Sequence, residues 1–184
     1  MAAIQRSWAA DLLHVWFHEV EPAQRFNATD ALNAKLRRRF EGWLDALHGQ
    51  PALSFVDDPG TALAAVLLFD QIPRNLYSGS PRAFAYDRLA RAITRAVMAR
   101  GWDAQLSRVE RQFLAMPLMH SEHIADQRRS LAYFTRLGRG FGMPFARDHY
   151  RMVARFGRFP HRNKVLGRTS TPAEKRAVEA GFAW

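Results

Sequence analysis

Apolar residues recur at three- and four-residue spacing along most of the chain, and this periodicity does most to limit the available folds. Ile4, Trp8, Leu12 and Val15 make one stripe, and Leu32, Leu36, Phe40, Leu44 and Leu47 make a second. Each is the pattern of one buried helical face. Helix-start signals precede such stripes. They are Thr29 or Asp30, Asp58 before Pro59, Ser80 before Pro81, and Thr171-Pro172-Ala173-Glu174, which fits a capping box. After Pro59 the residues are apolar on nearly every side, so that helix is expected to be central and buried. Ala85, Leu89, Ile93 and Val97 share a face of the next segment, with Arg88, Arg91 and Arg95 elsewhere. Further helices are expected over about 104–116, 121–137 and 144–156. No period-two strand or two-residue hairpin signal occurs. The expectation is an all-α chain whose 184 residues, 1–184, form one domain with a single sizeable core.

The formal net charge is +10, which favours acidic partners. The cations are unevenly placed. Between residues 149 and 173 there is no Asp or Glu, yet Arg151, Arg155, Arg158, Arg162, Lys164 and Arg168 fall there, with Phe156, Phe159, Pro160 and His161 among them. Their acidic partners must come from elsewhere in the chain or from a ligand. Nucleic acid is not the expected partner: Arg37, Arg38 and Arg39 are adjacent on a helix and must diverge, and no recognition-helix motif is present. The absence of cysteine excludes disulfides, thiolate metal sites and thiol nucleophiles. The N-terminal segment is interrupted by Arg6, Asp11 and His14, and the longest apolar run, 61–69, falls short of the roughly 20 residues that span a bilayer. A cytoplasmic protein with no membrane partner is expected. The sequence carries no signal for an oligomeric state.

Three times an apolar helical segment runs into proline with polar residues around it: LLFDQIPRN at 67–75, FLAMPLMHSE at 113–122 and RFGRFPHRN at 155–163. Proline ends or kinks a helix, so each segment is expected to turn there. Converging, the three ends would make one pocket of carboxylates, imidazoles and guanidiniums. The candidate ligand-binding residues are Asp70, Gln71, Arg74, Asn75, Arg155, Arg158, Arg162, Asn163 and Arg168, because guanidiniums suit phosphate or carboxylate through paired hydrogen bonds. The candidate catalytic residues are His120, Glu122 and His161, a histidine beside a carboxylate being the usual acid–base pair. The alternative is a purely structural network in which Asp70 and Glu122 pair with Arg158 or Arg162. No metal or cofactor is expected. His120, Glu122, His123, His149, His161 and Asp70 are ligand types, but their spacing matches no zinc motif and the cations around them oppose a bare metal ion. Gly138, Gly140 and Gly142 lack the strand a nucleotide loop needs, and no Gly-x-Ser-x-Gly elbow occurs.

VWFHE, LLFDQIPRNLY, FLAMPLMHSE and RFGRFPHRNKVLGRTSTPAE, in this order and down to the terminal GFAW, resemble the successive motifs of the bacterial domain-of-unknown-function 924 family. The resemblance implies helical packing akin to tetratricopeptide repeats, with antiparallel helices, and implies no reaction. The positions it covers include Gln127, His149, Gly167, Ser170 and Thr171 besides the site candidates. Departures fall at Arg25, where a tryptophan is more usual before Phe26, at Ser78, commonly basic, and at His123, where an acid is expected. The functional expectation is a pocket for a small anionic ligand, with catalysis on it open. The alternative is a noncatalytic scaffold that recognises an acidic peptide or protein.

Overall fold

The computed structural model describes residues 2–182, with side chains from residue 7 onward. The first stripe forms α1 (Ala2–His14), whose Trp8 and Leu12 are buried. The side chain of Ile4, and the Ala183 and Trp184 of the terminal motif, lie outside the described residues. α1 runs into a widened π-helical turn over Val15–Glu19, closed by the Val20 N–H on the Val15 carbonyl at 2.9 Å. Thr29 opens α2 (Asp30–Leu47), its hydroxyl accepting the Leu32 N–H, and Leu32, Leu36, Phe40 and Leu44 are buried along one face.

Asp58 caps α3 (Pro59–Val66), accepting the Thr61 N–H at 2.8 Å and the Thr61 hydroxyl at 2.7 Å. Residues 62–69 are fully buried. Apart from Thr61, bonded back to Asp58, α3 has no polar side chain to hydrate, so it is stable only when covered on all sides. It packs against α1, α5 (Asp87–Ala99) and α6 (Arg108–Met119).

The first two proline segments do not end where expected. α3 passes through a second π-helical turn, Leu67–Gln71, and continues past Pro73 as α4 (Ile72–Leu76). Proline lacks an N–H and crowds the carbonyl four residues before it, and a widened turn removes that conflict. Pro117 sits inside α6, which reaches Met119 before His120 caps it. α6 also starts later than its periodicity predicts: a 3₁₀ turn takes Trp102–Gln105, and Ser107 with Glu110 then forms a capping box. Ser80 likewise caps a 3₁₀ turn, Pro81–Phe84, so Ala85 precedes α5. Only the third segment turns as expected. Gly157, at φ +70°, ends α8 (Met143–Phe156), and a 3₁₀ turn runs over Pro160–Arg162.

α7 (Ile124–Leu137) packs on α6 and α8, and α9 (Pro172–Glu179) opens at the Thr171/Glu174 capping box. The described residues contain no strand, and the fold is all-α. None of their helices is long and apolar enough to cross a membrane. The main buried cluster draws on α1, α2, α3, α5 and α6. A second joins α6, α7 and α8, and a third holds Met152, Val153, Phe159 and Ala177. The polar ends of the proline segments meet where these clusters adjoin.

Candidate functional site

Asp70 lies in the second π turn with no exposed surface. Its carboxylate accepts Gln71 Nε2 at 2.5 Å, meets His120 Nδ1 at 2.8 and 3.0 Å, and pairs with Arg74 Nη1 at 3.2 Å. The turn also shapes its own surroundings. Arg74 Nη1 donates to the Asp70 carbonyl at 2.7 Å, and Asn75 Nδ2 to the Gln71 carbonyl at 2.9 Å. Both carbonyls belong to the turn itself, so these side-chain donors brace its junction with α4. At the first π turn Arg25 does the same, donating to the Trp16 and Phe17 carbonyls at 2.9 and 3.0 Å. Burial alone would raise the Asp70 carboxyl, but Arg74, then His120, carry it well below the ordinary carboxylate range.

Arg74 continues the network to Asp87, the first residue of α5, at 2.9 and 3.0 Å. Burial opposes the Arg74 charge, but Asp70 and Asp87 outweigh it and raise its pKa. Asp87 also faces Arg162, at a longer 3.6 Å. Arg162 stands apart from the other arginines. It is 6% exposed, lies with its guanidinium carbon 4.5 Å from the ring centroids of both Phe84 and Phe159, and makes no side-chain hydrogen bond among the described residues. Burial first, then the charge of Arg74, lowers its pKa to about 10.

Beside these groups is a cavity of about 510 Å³. Its inner wall carries Gln71, Arg74, Met116, His120, His149, His161 and Arg162. Its outer wall carries Arg25, Phe26, Asn27, Ala28, Asn33, Asn75, Ser78, Gly79, Ala83, Phe84 and Val165. Three arginines and three histidines line it, and no carboxylate does. The histidines run along one wall: His120 and His149 have ring centroids 6.2 Å apart, and Phe159 stands between His149 and His161 at 5.2 and 5.6 Å. His149 Nδ1 faces the Phe145 carbonyl at 2.8 Å, an acceptor only, so that nitrogen carries the proton. Burial lowers all three imidazoles. His149 falls to about 3, with His120 adding to the effect, and His161 to about 4, with Arg162 adding. For His120 burial also prevails, although Asp70 pulls the other way.

The sequence candidates thus divide. Gln71, Arg74, Asn75, His120, His161 and Arg162 line the cavity, and Asp70 stands directly behind His120. Glu122, Arg155, Arg158, Asn163 and Arg168 do not line it. Glu122 accepts both amino groups of Arg168 at 2.7 and 2.9 Å and the Phe159 N–H at 2.7 Å. Arg158 makes a paired contact with Glu174 at 2.7 and 3.0 Å. Asn163 bonds Ser170, and Arg155 is exposed over Phe156. These contacts hold the 159–171 segment against the α6–α7 connection and α9, which is how Arg162 and His161 come to face the cavity. Glu122, 46 residues from Arg168, and Glu174, just past the acid-free stretch, therefore satisfy two of its cations, and Arg162 is left with a shared acid at longer range.

The chain matches the family described as bacterial protein of unknown function (DUF924) over residues 12–181. It belongs to that family. A solved structure of a protein of unknown function from Agrobacterium tumefaciens is 34% identical, with a TM-score of 0.89 over 98% of this chain and 99% of that one. No curated protein matches. The family motifs now have positions: VWFHE and LLFDQ are the two π turns, and HSE and RFPHRN supply the inner wall and the Glu122 clasp.

Several residues of the cavity and of the network behind it gave no signal as site candidates in the sequence. Asp87 reads as an ordinary acidic helix start, and Phe84 as part of a turn. Asn27 and Asn33 reach the cavity from the α1–α2 connection and the first turn of α2. His149 falls within the family pattern and follows Asp148, but in sequence it stands out only as a metal-ligand type.

Proposed function

We propose that the cavity binds a small anionic compound, carrying phosphate or carboxylate, with Arg162 and Arg74 as the principal contacts and His120 and His161 beside them. The observation that carries this reading is Arg162. A buried guanidinium without a hydrogen bond is costly, and in a carboxylate-free cavity an anion is what would satisfy it. A phosphate or carboxylate can take two parallel N–H donors from one guanidinium. The volume suits a metabolite-sized ligand, within the roughly 300–1,000 Å³ of small-molecule sites.

A thermal-shift titration tests it, with inorganic phosphate, phosphorylated metabolites, dicarboxylates and an acidic peptide at matched ionic strength. A ligand at 100 times its Kd stabilises by about 2.7 kcal/mol. That is a Tm rise of about 5–10 °C for a chain of this size. Saturable stabilisation by a small anion, lost in Arg162→Met, is the expected result. Stabilisation by the peptide alone would favour the scaffold, and no saturable response to any of them would reduce the cluster to a structural network.

A further inference from the structure

We propose that His120 is a catalytic base that removes and returns a proton on a small α-hydroxy carbonyl compound whose phosphate or carboxylate is held by Arg162 and Arg74. This rests on the anion-binding reading above and adds a reaction to it. His120 caps the end of α6, where its ring lines the cavity and its Nδ1 sits on both oxygens of the buried Asp70. An ionised carboxylate only accepts, so Nδ1 holds the proton and the Nε2 lone pair is available. No side chain or carbonyl among the described residues hydrogen-bonds Nε2. A histidine so fixed by a carboxylate behind it is oriented for proton transfer, and the imidazolium it becomes is stabilised by that carboxylate.

The groups around His120 choose among reactions. Asp70 faces it from the π turn, Arg74 from α4, His149 from α8, and His161 and Arg162 from the C-terminal turn. Hydrolysis of an ester or phosphoester would need His120 to activate a nucleophile and then pass that proton to the leaving group, because burial holds His149 and His161 neutral. A one-base proton shift needs no second acid, no oxidant and no leaving group. The C–H bond on the hydroxyl-bearing carbon breaks, its proton forms an N–H bond at Nε2, and its electron pair moves toward the neighbouring carbonyl to give an enediolate. The enediolate charge meets the cationic wall. Return of the proton to the adjacent carbon, as the hydroxyl proton passes between the two oxygens, gives the isomer. One carbon is oxidised and its neighbour reduced.

The test is deuterium exchange followed by NMR in D₂O, with dihydroxyacetone phosphate, glyceraldehyde phosphate and hydroxypyruvate as probes. The protein should wash deuterium into the hydroxyl-bearing carbon of at least one probe, and His120→Gln should slow this by about 100-fold or more. Independently of how any variant folds, the wild-type rate should fall with acid through an apparent pKa below 6.5, the ordinary histidine value. Asp70 is a positioning residue: Asp70→Asn should move that midpoint further down, since the carboxylate that raises His120 is gone. Exchange no faster than buffer for every probe, or unchanged in His120→Gln, overturns the proposal. If phosphate still stabilises the protein in that case, the binding reading stands; if it does not, both fall.

Discussion

Replacing Asp70 with asparagine keeps the side chain's shape and removes one charge from the most buried part of the network. Three partners lose by it: Arg74 at 3.2 Å, His120 at 2.8 Å and Gln71 at 2.5 Å. Breaking a buried ion pair by neutralising one member costs about 3–5 kcal/mol, because the other charge stays buried. Arg74 keeps Asp87 at 2.9 and 3.0 Å, so the loss should fall at the lower end, about 3 kcal/mol. For a chain of this size that corresponds to a Tm fall of about 6–12 °C. Urea denaturation at pH 7 measures it directly, and pH gives a second check. The folded pKa of Asp70 lies below its unfolded 3.8, so its stabilisation is complete above that value and is lost as pH falls toward the folded one. Well above pH 6.5, where His120 is neutral folded and unfolded, the gap between wild type and variant should therefore be constant, and in acid strong enough to protonate Asp70 the carboxylate's share of it should vanish. A loss under about 1 kcal/mol at pH 7 would refute the view of Asp70 as the ionised anchor of the network.

The histidines give a prediction of their own. His149 and His161, at about 3 and about 4, lie below the unfolded 6.5, so the unfolded chain takes up protons first. Their imidazole resonances should not titrate between pH 7 and 5, and stability should decline as pH falls below about 6.5. Gly157→Ala should cost about 1–2 kcal/mol through backbone strain alone, because φ is +70° and a Cβ there meets nothing within 4 Å. Thr171→Ala should cost about 1 kcal/mol in a urea melt, since its hydroxyl caps α9 at the Glu174 N–H. A loss confined to a few tenths would mean that the Glu174–Arg158 contact, rather than the cap, starts α9.

Local chemistry made the helices legible. The caps at Thr29, Asp58 and Thr171 use contacts within four residues, and the all-apolar stretch after Pro59 could only be central, so pattern and composition were enough. The prolines were less legible. The preference that ends a helix at proline is local, but a π turn carried the backbone through Pro73 and α6 runs on past Pro117 to Met119, and no periodicity records an extra residue in one turn.

The site divides on the same physical line. Residue types alone showed that the stretch from 149 to 173 lacks its own acids, and that the three proline segments hold the chemistry-bearing side chains. Which cation is satisfied depends on distances between residues up to 46 apart in sequence. Arg168 reaches Glu122, Arg158 reaches Glu174, and Arg162 is left between two phenyl rings with Asp87 at 3.6 Å. In sequence those three arginines are equivalent. Burial and the reach of each guanidinium make two of them clasps and turn the third toward the cavity, and only the packed chain sets either quantity.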